Sequence, residues 1–229
     1  MTPRVRHERV GPCESSRRLR IAHLSDLHVW FGDRKLRAIE QCLAAWKPDV
    51  LALTGDYADT PWGRRIAWEW MRRMASSHPL CWIAGNHDHW GGGSYLRQLE
   101  TLPDAHAIDR EDAWITTASG ARFCFTSLDR QPDASAPSVV LLHNPAELTS
   151  AEMHNAHACL VLAGHLHGGQ ITLWRDRRGR PLPAAWCYPW LVERATVGAA
   201  ELIVSRGLGD TLPLRLGAPR EIVIVDFAA

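Results

Sequence analysis

No apolar run in this chain is longer than a strand, and nothing approaches the roughly 20 consecutive apolar residues that a helix needs to cross a bilayer. A spanning segment is excluded. The start is basic, with Arg4, Arg6, Arg9, Arg17, Arg18 and Arg20, but no apolar region of signal length follows, because Ile21 to Leu24 runs at once into Ser25 and Asp26. The chain is therefore expected to stay in the cytoplasm. There is no CxxC pair among Cys13, Cys42, Cys81, Cys124, Cys159 and Cys187, several of which sit in apolar runs, so buried reduced thiols are expected instead of disulfides or a zinc knot. A net charge of +1 shows no excess of either sign and argues against general affinity for a nucleic-acid polymer. Repeats, low-complexity tracts and convincing linkers are also missing. The 229 residues suit one core, read as a basic N-terminal arm over 1–18 and one domain over 19–229. Hydrophobic content of 46% and charged content of 22% are close to globular averages and exclude disorder.

What is present is a rhythm of short buried runs alternating with helical spacing. Leu19 to Ser25 reads as a strand, Asp33 to Trp46 as a helix through Leu36, Ile39, Leu43 and Trp46, and Asp49 to Thr54 as a second strand. Trp62 to Ser77 follows Pro61 as a second helix, and Leu80 to Ala84 is a third strand. The short crossovers imply parallel strands with right-handed connections. From Ala105 the pattern changes, with strands at Ala113 to Thr117 and Ala121 to Ser127 around a Ser119-Gly120 turn, and a second sheet is expected there. Buried runs at Ser138 to Leu142 and Ala158 to Ala163 flank a helical piece from Ala146 to about Met153. Residues 174–190 read as an irregular excursion, and strands at Glu201 to Ser205 and Glu221 to Phe227 finish the chain. The expected architecture is α/β, two packed sheets flanked by helices.

Most of these runs end in polar residues of a restricted kind. The first gives Asp26 and His28, the second Asp56 and Asp59, the third Asn86, His87 and Asp88; His143 follows Leu142, and His165 and His167 follow Ala163. In an extended segment residues two apart share a face, so Asp26 with His28, and His165 with His167, can each aim two donors into one cavity. Carboxylates, imidazoles and an amide without thiolates suit manganese, iron or zinc better than soft metals, and there are enough donors for two ions. A single HxH or DxH is a weak signal; five polar clusters in order are a strong one. Asp88 reads as a helix cap, His23 as a strand residue, and Asp59, from the residues alone, as an Asx turn before Pro61.

The ordered blocks DxH, GD, GNHD, a lone His and GHxH, covering about Ile21 to Gln170, resemble the calcineurin-like metallophosphoesterase superfamily. The GHxHGGQ form of the last block, with Leu166 where Thr is usual, is similar to a small bacterial phosphodiesterase branch. The resemblance implies a four-layer α-β-β-α sandwich of two mixed sheets, with two divalent or mixed-valence ions. It puts Asp26, His28 and His167 on the first ion, Asn86, His143 and His165 on the second, and Asp56 between them, lending one oxygen to each. It implies attack by a metal-bridging hydroxide on a phosphodiester or pyrophosphate. His87 acts on the substrate and Asp59 orients it. The arginine of the protein-phosphatase GDxxDRG block is absent, which argues against a phosphoprotein substrate. The alternative is a non-catalytic interaction module on the same metal-binding fold. Trp30, Trp90, Trp186, Tyr188, Pro189 and Trp190, expected on loops rimming the site, and the neighbouring arginines are consistent with a small-molecule or lipid-linked phosphoester, with a nucleotide, or with peripheral contact at the inner membrane face. The bland alternative is loop packing.

Overall fold

The computed structural model describes residues 2–12, 14–130, 136–148, 158–177, 179–210 and 214–229, with the backbone alone at 158 and 159. In chain order the strands are β1 (Arg4–Val10), β2 (Arg18–Leu24), β3 (Val50–Thr54), β4 (Leu80–Ile83), β5 (Ala105–Ala107), β6 (Ala113–Thr116) and β7 (Arg122–Ser127). They continue as β8 (Ser138–Leu141), β9 (Ala158–Ala163), β10 (Thr172–Arg175), β11 (Pro181–Pro183), β12 (Arg194–Val197), β13 (Ala200–Val204) and β14 (Glu221–Ala228). The helices are α1 (Arg34–Trp46), α2 (Pro61–Ala75), α3 (Asn86–Trp90) and α4 (Gly93–Glu100).

Two mixed sheets of six strands result, in the orders β1-β14-β2-β3-β4-β5 and β12-β13-β9-β8-β7-β6. Strands β2, β3, β4 and β5 run parallel, as do β7, β8, β9 and β13. Every residue of β3 is buried, which is why Val50–Thr54 reads as a continuous apolar run instead of an alternating one. Its side chains still alternate. Leu51 and Leu53 face the helices with Leu36, Ile39 and Trp70, whereas Val50 and Ala52 face the other sheet. There they join Phe123, Phe125, Val139, Leu141, Leu160 and Leu162 in the layer between the sheets. Each such side chain contributes about 1.5–3 kcal/mol on full burial. The outer face of the second sheet packs Val140, Leu142, Val161, Leu202 and Val204 against Leu148, Trp190 and Val192.

Local signals set the helix ends. Lys47 closes α1 in a left-handed conformation just before Pro48, and the Thr60 side chain accepts from Gly63 N at 2.9 Å to cap α2, with Pro61 at its first position. Trp70 and Trp82 are buried and Trp46 and Trp68 pack against the same core, as their spacing suggested.

The differences from expectation have simple causes. The basic stretch expected as an arm outside the domain supplies β1, which pairs in parallel with β14; Arg6 reaches Glu221 and Arg20 reaches Asp226, so polar partners stand in for apolar alternation. β5 and β12 were too short and half-buried to show as runs. Within 174–190 the chain forms a ribbon of β10 and β11 and a 3₁₀ turn at Ala184–Trp186. Of the helical piece from Ala146 to Met153, the described part is a 3₁₀ turn at Pro145–Glu147, and the remainder, with His154 and His157, lies outside the described residues. So do Cys13 and Arg178. Cys81 and Cys124 are buried thiols outside any disulfide, as expected, Cys42 is half-buried, and Cys187 is exposed. Among the described residues no helix is long and apolar enough to cross a membrane.

Candidate metal centre

The parallel strands β2, β3 and β4 of one sheet and β8 and β9 of the other end over the same edge, and their loops are tied together by main-chain hydrogen bonds. Asp26 N donates to Gly55 O at 3.0 Å, His28 N to Asp56 O at 2.9 Å and Gly164 N to His143 O at 3.0 Å. His165 N donates to both carboxylate oxygens of Asp26 at 3.1 Å, which crosses from one sheet to the other. The loops after β3 and β4 approach so closely that a Cβ on Gly85 would stand 2.2 Å from Asp56 Oδ1, and one on Gly55 2.5 Å from Gly85 N.

Three groups of donors emerge among the described residues, of which one, His28, Asp59 and His87, is joined by hydrogen bonds through the Asp59 carboxylate. In the other two, Asp26, His28 and His167 offer atoms within 4.8 Å of one another, and so do Asp56, His143 and His165. Asn86 joins the second, its Oδ1 lying 2.9 Å from His143 Nε2, while His165 Nδ1 lies 3.1 Å from the same nitrogen. Asp56 stands between the groups through one oxygen only: Oδ2 is 3.4 Å from His143 Nε2 and 3.7 Å from His28 Nε2, whereas Oδ1 accepts from His87 N at 2.8 Å. All seven residues expected as ligands are thus brought together. The reason the sequence offered for the DxH and HxH pairs does not hold. Asp26, His28, Asp56, His165 and His167 have φ of 52, 40, 59, 70 and 49°, so these segments are left-handed and not extended. His165 and His167 consequently serve different groups. Asp and His tolerate that region better than most residues, yet each still costs on the order of 1–3 kcal/mol, a cost that clusters at functional sites.

The donors fit a hard-to-borderline divalent cation. His28 Nδ1 donates to Asp59 Oδ1 at 2.8 Å and His143 Nδ1 to Thr54 O at 2.7 Å, which fixes both tautomers with Nε2 facing the groups. His28 Nε2 is then a buried polar atom with no hydrogen-bond partner, an expensive arrangement unless a cation lies against it. Among the described residues no thiol joins either group. Burial works against charge on Asp26, Asp56 and Asp59, but the surrounding imidazoles hold all three below the usual carboxylate range. Burial also opposes protonation of His143, and the Asp56 hydrogen bond with the Asp26 charge still raises it to about 9. His165 and His167 are lowered, by burial first, and stay neutral and ready to donate.

Around the donors stand groups that the motifs only partly revealed. Asp59 Oδ1 accepts from His87 Nδ1 at 2.7 Å as well as from His28, and its Oδ2 accepts from Trp30 Nε1 at 2.5 Å, so one carboxylate orients both imidazoles. The His87 ring is partly exposed and lies 4.3 Å, centroid to centroid, from Trp90. Asp88, read as a cap, accepts from Gly85 N at 2.9 Å in that role but also from Asp56 N at 2.7 Å and Tyr57 N at 3.0 Å. It staples two donor loops together, and burial pushes its carboxyl up to about 7. Lys35 gives its ammonium to the carbonyls of Leu27 and His28, and Arg215 Nη2 lies 3.2 Å from His167 Nδ1; neither belongs to a motif, and no local pattern could have found them. His23 is a fully buried, neutral strand residue, lowered by burial to about 3.

A cleft of about 710 Å³ opens onto the second group, lined by Asn86, His143 and His165 together with His89, Asp109 and Arg110. Leu166 turns the other way, into a small cluster with Leu182, Ala185 and Leu191. In the aromatic stretch after the fifth block, Trp186 and Tyr188 are exposed and Trp190 packs against the outer face of the second sheet.

Comparison with known proteins agrees with this geometry. A family model described as calcineurin-like phosphoesterase matches residues 19–169. A metallophosphoesterase of Bacillus subtilis, YkuE, is 28% identical over 221 residues, covering 89% of this chain and 75% of its own. The Escherichia coli phosphodiesterase YaeI is 25% identical over 244 residues, covering 97% and 87%. A solved dimetal phosphatase from Danio rerio shares the fold with a TM-score of 0.51 at 11% identity, over 92% of this chain and 99% of that one.

Proposed function

The chain belongs to the calcineurin-like phosphoesterase family and is a metal-dependent phosphoric ester hydrolase; from that premise we propose that it cleaves a phosphodiester or pyrophosphate at two divalent ions. Asp26, His28 and His167 would hold one ion, Asn86, His143 and His165 the other, and Asp56 would bridge them through Oδ2. Manganese, iron or zinc suits these donors. Bound there, such ions neutralise phosphoryl charge and make water nucleophilic at neutral pH. The observation that carries the reading is the position of Asp56 Oδ2 between two imidazole Nε2 atoms, one of which has no hydrogen-bond partner.

His87 is the residue left to act on the leaving oxygen. Its Nδ1 is held by Asp59, its ring is partly exposed, and its own N–H holds Asp56, so a hydrogen bond between adjacent loops ties the acid to the bridge. Retention of this His87–Asp59 pair disfavours a non-catalytic module, which has no use for an oriented imidazole beside the ions. The missing phosphate-clamping arginine favours small phosphoesters over phosphoproteins. Exposed Trp30, Phe31 and Trp90 near the site support an amphiphilic or nucleotide-bearing substrate, met in solution in the cytoplasm or at the inner face of the membrane. Hydrolysis of bis(p-nitrophenyl) phosphate, with and without Mn²⁺, tests the activity: turnover that requires the ion is expected, and none under any divalent cation would overturn it. Sedimentation with anionic liposomes tests the membrane contact, which an unbound protein at low salt would exclude.

A further inference from the structure

A cavity of about 770 Å³ takes no part in the donor groups yet shares a wall with the first of them. It is lined by the cationic side chains of Arg4, Lys35, Arg215 and Arg220 and by a single carboxylate, Asp210, with Trp30 and the apolar segment around Leu208 and Pro219 completing it. Asp210 is already committed. Its Oδ1 accepts from Arg215 Nε at 2.6 Å and its Oδ2 from Arg220. Four cations thus converge on one paired carboxylate in a partly enclosed, low-dielectric space, an arrangement that favours an anion. The wall toward the reaction is short. Lys35 donates to the carbonyl of His28, Arg215 lies 3.2 Å from His167 Nδ1, and Trp30 is fixed by its N–H on Asp59.

The cleft on the other side of the centre has the opposite character. Glu100, Asp109, Asp129 and Glu147 line it with Arg110 as the one guanidinium. A second anionic group on a substrate would be repelled there and attracted to the cavity beside Trp30.

We infer that this cavity is an anion subsite that takes a phosphate group, with Arg4 and Arg220 as its contacts and the Trp30 ring against the organic part of the ligand. Lys35 and Arg215, held by carbonyls, supply potential instead of direct contacts. The phosphate can come from two sources, a second phosphoryl of the substrate or free inorganic phosphate. The first deepens the phosphoesterase reading and rests on it.

The Mn²⁺-loaded protein is compared with an Arg4→Ala/Arg220→Ala double variant on p-nitrophenyl ethyl phosphate, with and without a terminal phosphate on the ethyl arm, and both proteins are titrated with inorganic phosphate by calorimetry. If the substrate supplies the anion, the wild type has a KM about tenfold lower for the terminal phosphate, from two charge-assisted contacts, and the double variant loses that preference while hydrolysing the plain diester as before. If free phosphate is the ligand, the wild type shows no such preference but binds one more equivalent of phosphate than the variant. Equal preference and equal phosphate uptake in the two proteins would overturn the subsite. Arg4→Ala alone, at an exposed position on β1, gives the same direction of change should the double variant fail to fold. Failure of both diesters as substrates would count against the phosphodiesterase reading, and the calorimetry would still decide the cavity.

Discussion

The two sheets contribute to the centre unequally. Loops after β2, β3 and β4 of the first sheet bring both donor carboxylates, Asp26 and Asp56, and their neighbours Asp59 and Asp88, together with Asn86, His28 and His87. Loops after β8 and β9 of the second sheet bring imidazoles alone, His143, His165 and His167. Each proposed ion site nevertheless draws on both sheets. The donor carboxylates come from one side and most of the donor imidazoles from the other, so the centre can assemble only where the sheets pack. The layer of Phe123, Phe125, Val139 and Leu160 against Val50, Ala52 and Ile83 therefore does more than stabilise the fold; it sets the spacing of the donors.

The largest effect is expected where the sheets' contributions meet. Asp56→Asn removes the anionic oxygen that faces both groups, and loss of both ions together with all Mn²⁺-dependent turnover is expected by metal analysis and assay. Retained metal with full activity would exclude the bridge. Next comes His87→Ala, which removes no proposed ligand of either ion: metal content should be unchanged while turnover falls about 10²- to 10⁴-fold, less so for good leaving groups. Wild-type turnover on a poor leaving group would make His87 structural.

Phe125→Ala tests the packing layer itself. A loss of about 3–5 kcal/mol is expected by denaturant titration, with weaker metal retention at temperatures where the fold still stands, because the imidazoles of the second sheet drift from the carboxylates of the first. Unchanged metal affinity in a clearly destabilised variant would show that the loops alone hold the spacing.

The second sheet can also be read by pH. In the metal-free protein His143 is raised to about 9 from an ordinary 6.5, so its charge adds stability that is complete below about 6.5 and is lost as pH rises through about 9. Ligation needs the neutral ring. Uptake of the second ion should therefore release a proton and tighten roughly tenfold per pH unit up to about 9, as calorimetry in buffers of different ionisation enthalpy would reveal. The smallest effect is expected at Trp30→Phe, which keeps a ring but removes the N–H on Asp59. A change of a few-fold in turnover, from one hydrogen bond of about 1 kcal/mol, should accompany a shifted pH profile and unaltered metal content.

Much of this was legible in the sequence because short buried strands ending in polar residues are a pattern that periodicity and composition both display. The clusters that contain Asp26, His28, Asp56, Asn86, His143, His165 and His167 stood out on that ground, and the resemblance to a family singled out those seven. Their geometry was not legible there. The sequence suggested extended DxH and HxH pairs, and the left-handed φ of His165 and His167 is imposed by tertiary hydrogen bonds such as that from His165 N to Asp26. Asp88 looked like a cap because its neighbour in sequence, Gly85, is one of its partners; the other two, Asp56 and Tyr57, lie across a strand pair. β1 was hidden because Arg6 and Glu8 find partners on other strands, Glu221 of β14 and Arg194 of β12, which no local window contains.

The claim on which all of this turns is that two ions are held by donors from both sheets. Metal content of the purified, Mn²⁺-reconstituted protein, measured beside His143→Ala and His167→Ala, addresses it directly. Two equivalents in the wild type and one in each variant are expected, since each substitution removes a second-sheet donor from a different group. A single equivalent in the wild type, or two in either variant, would contradict it.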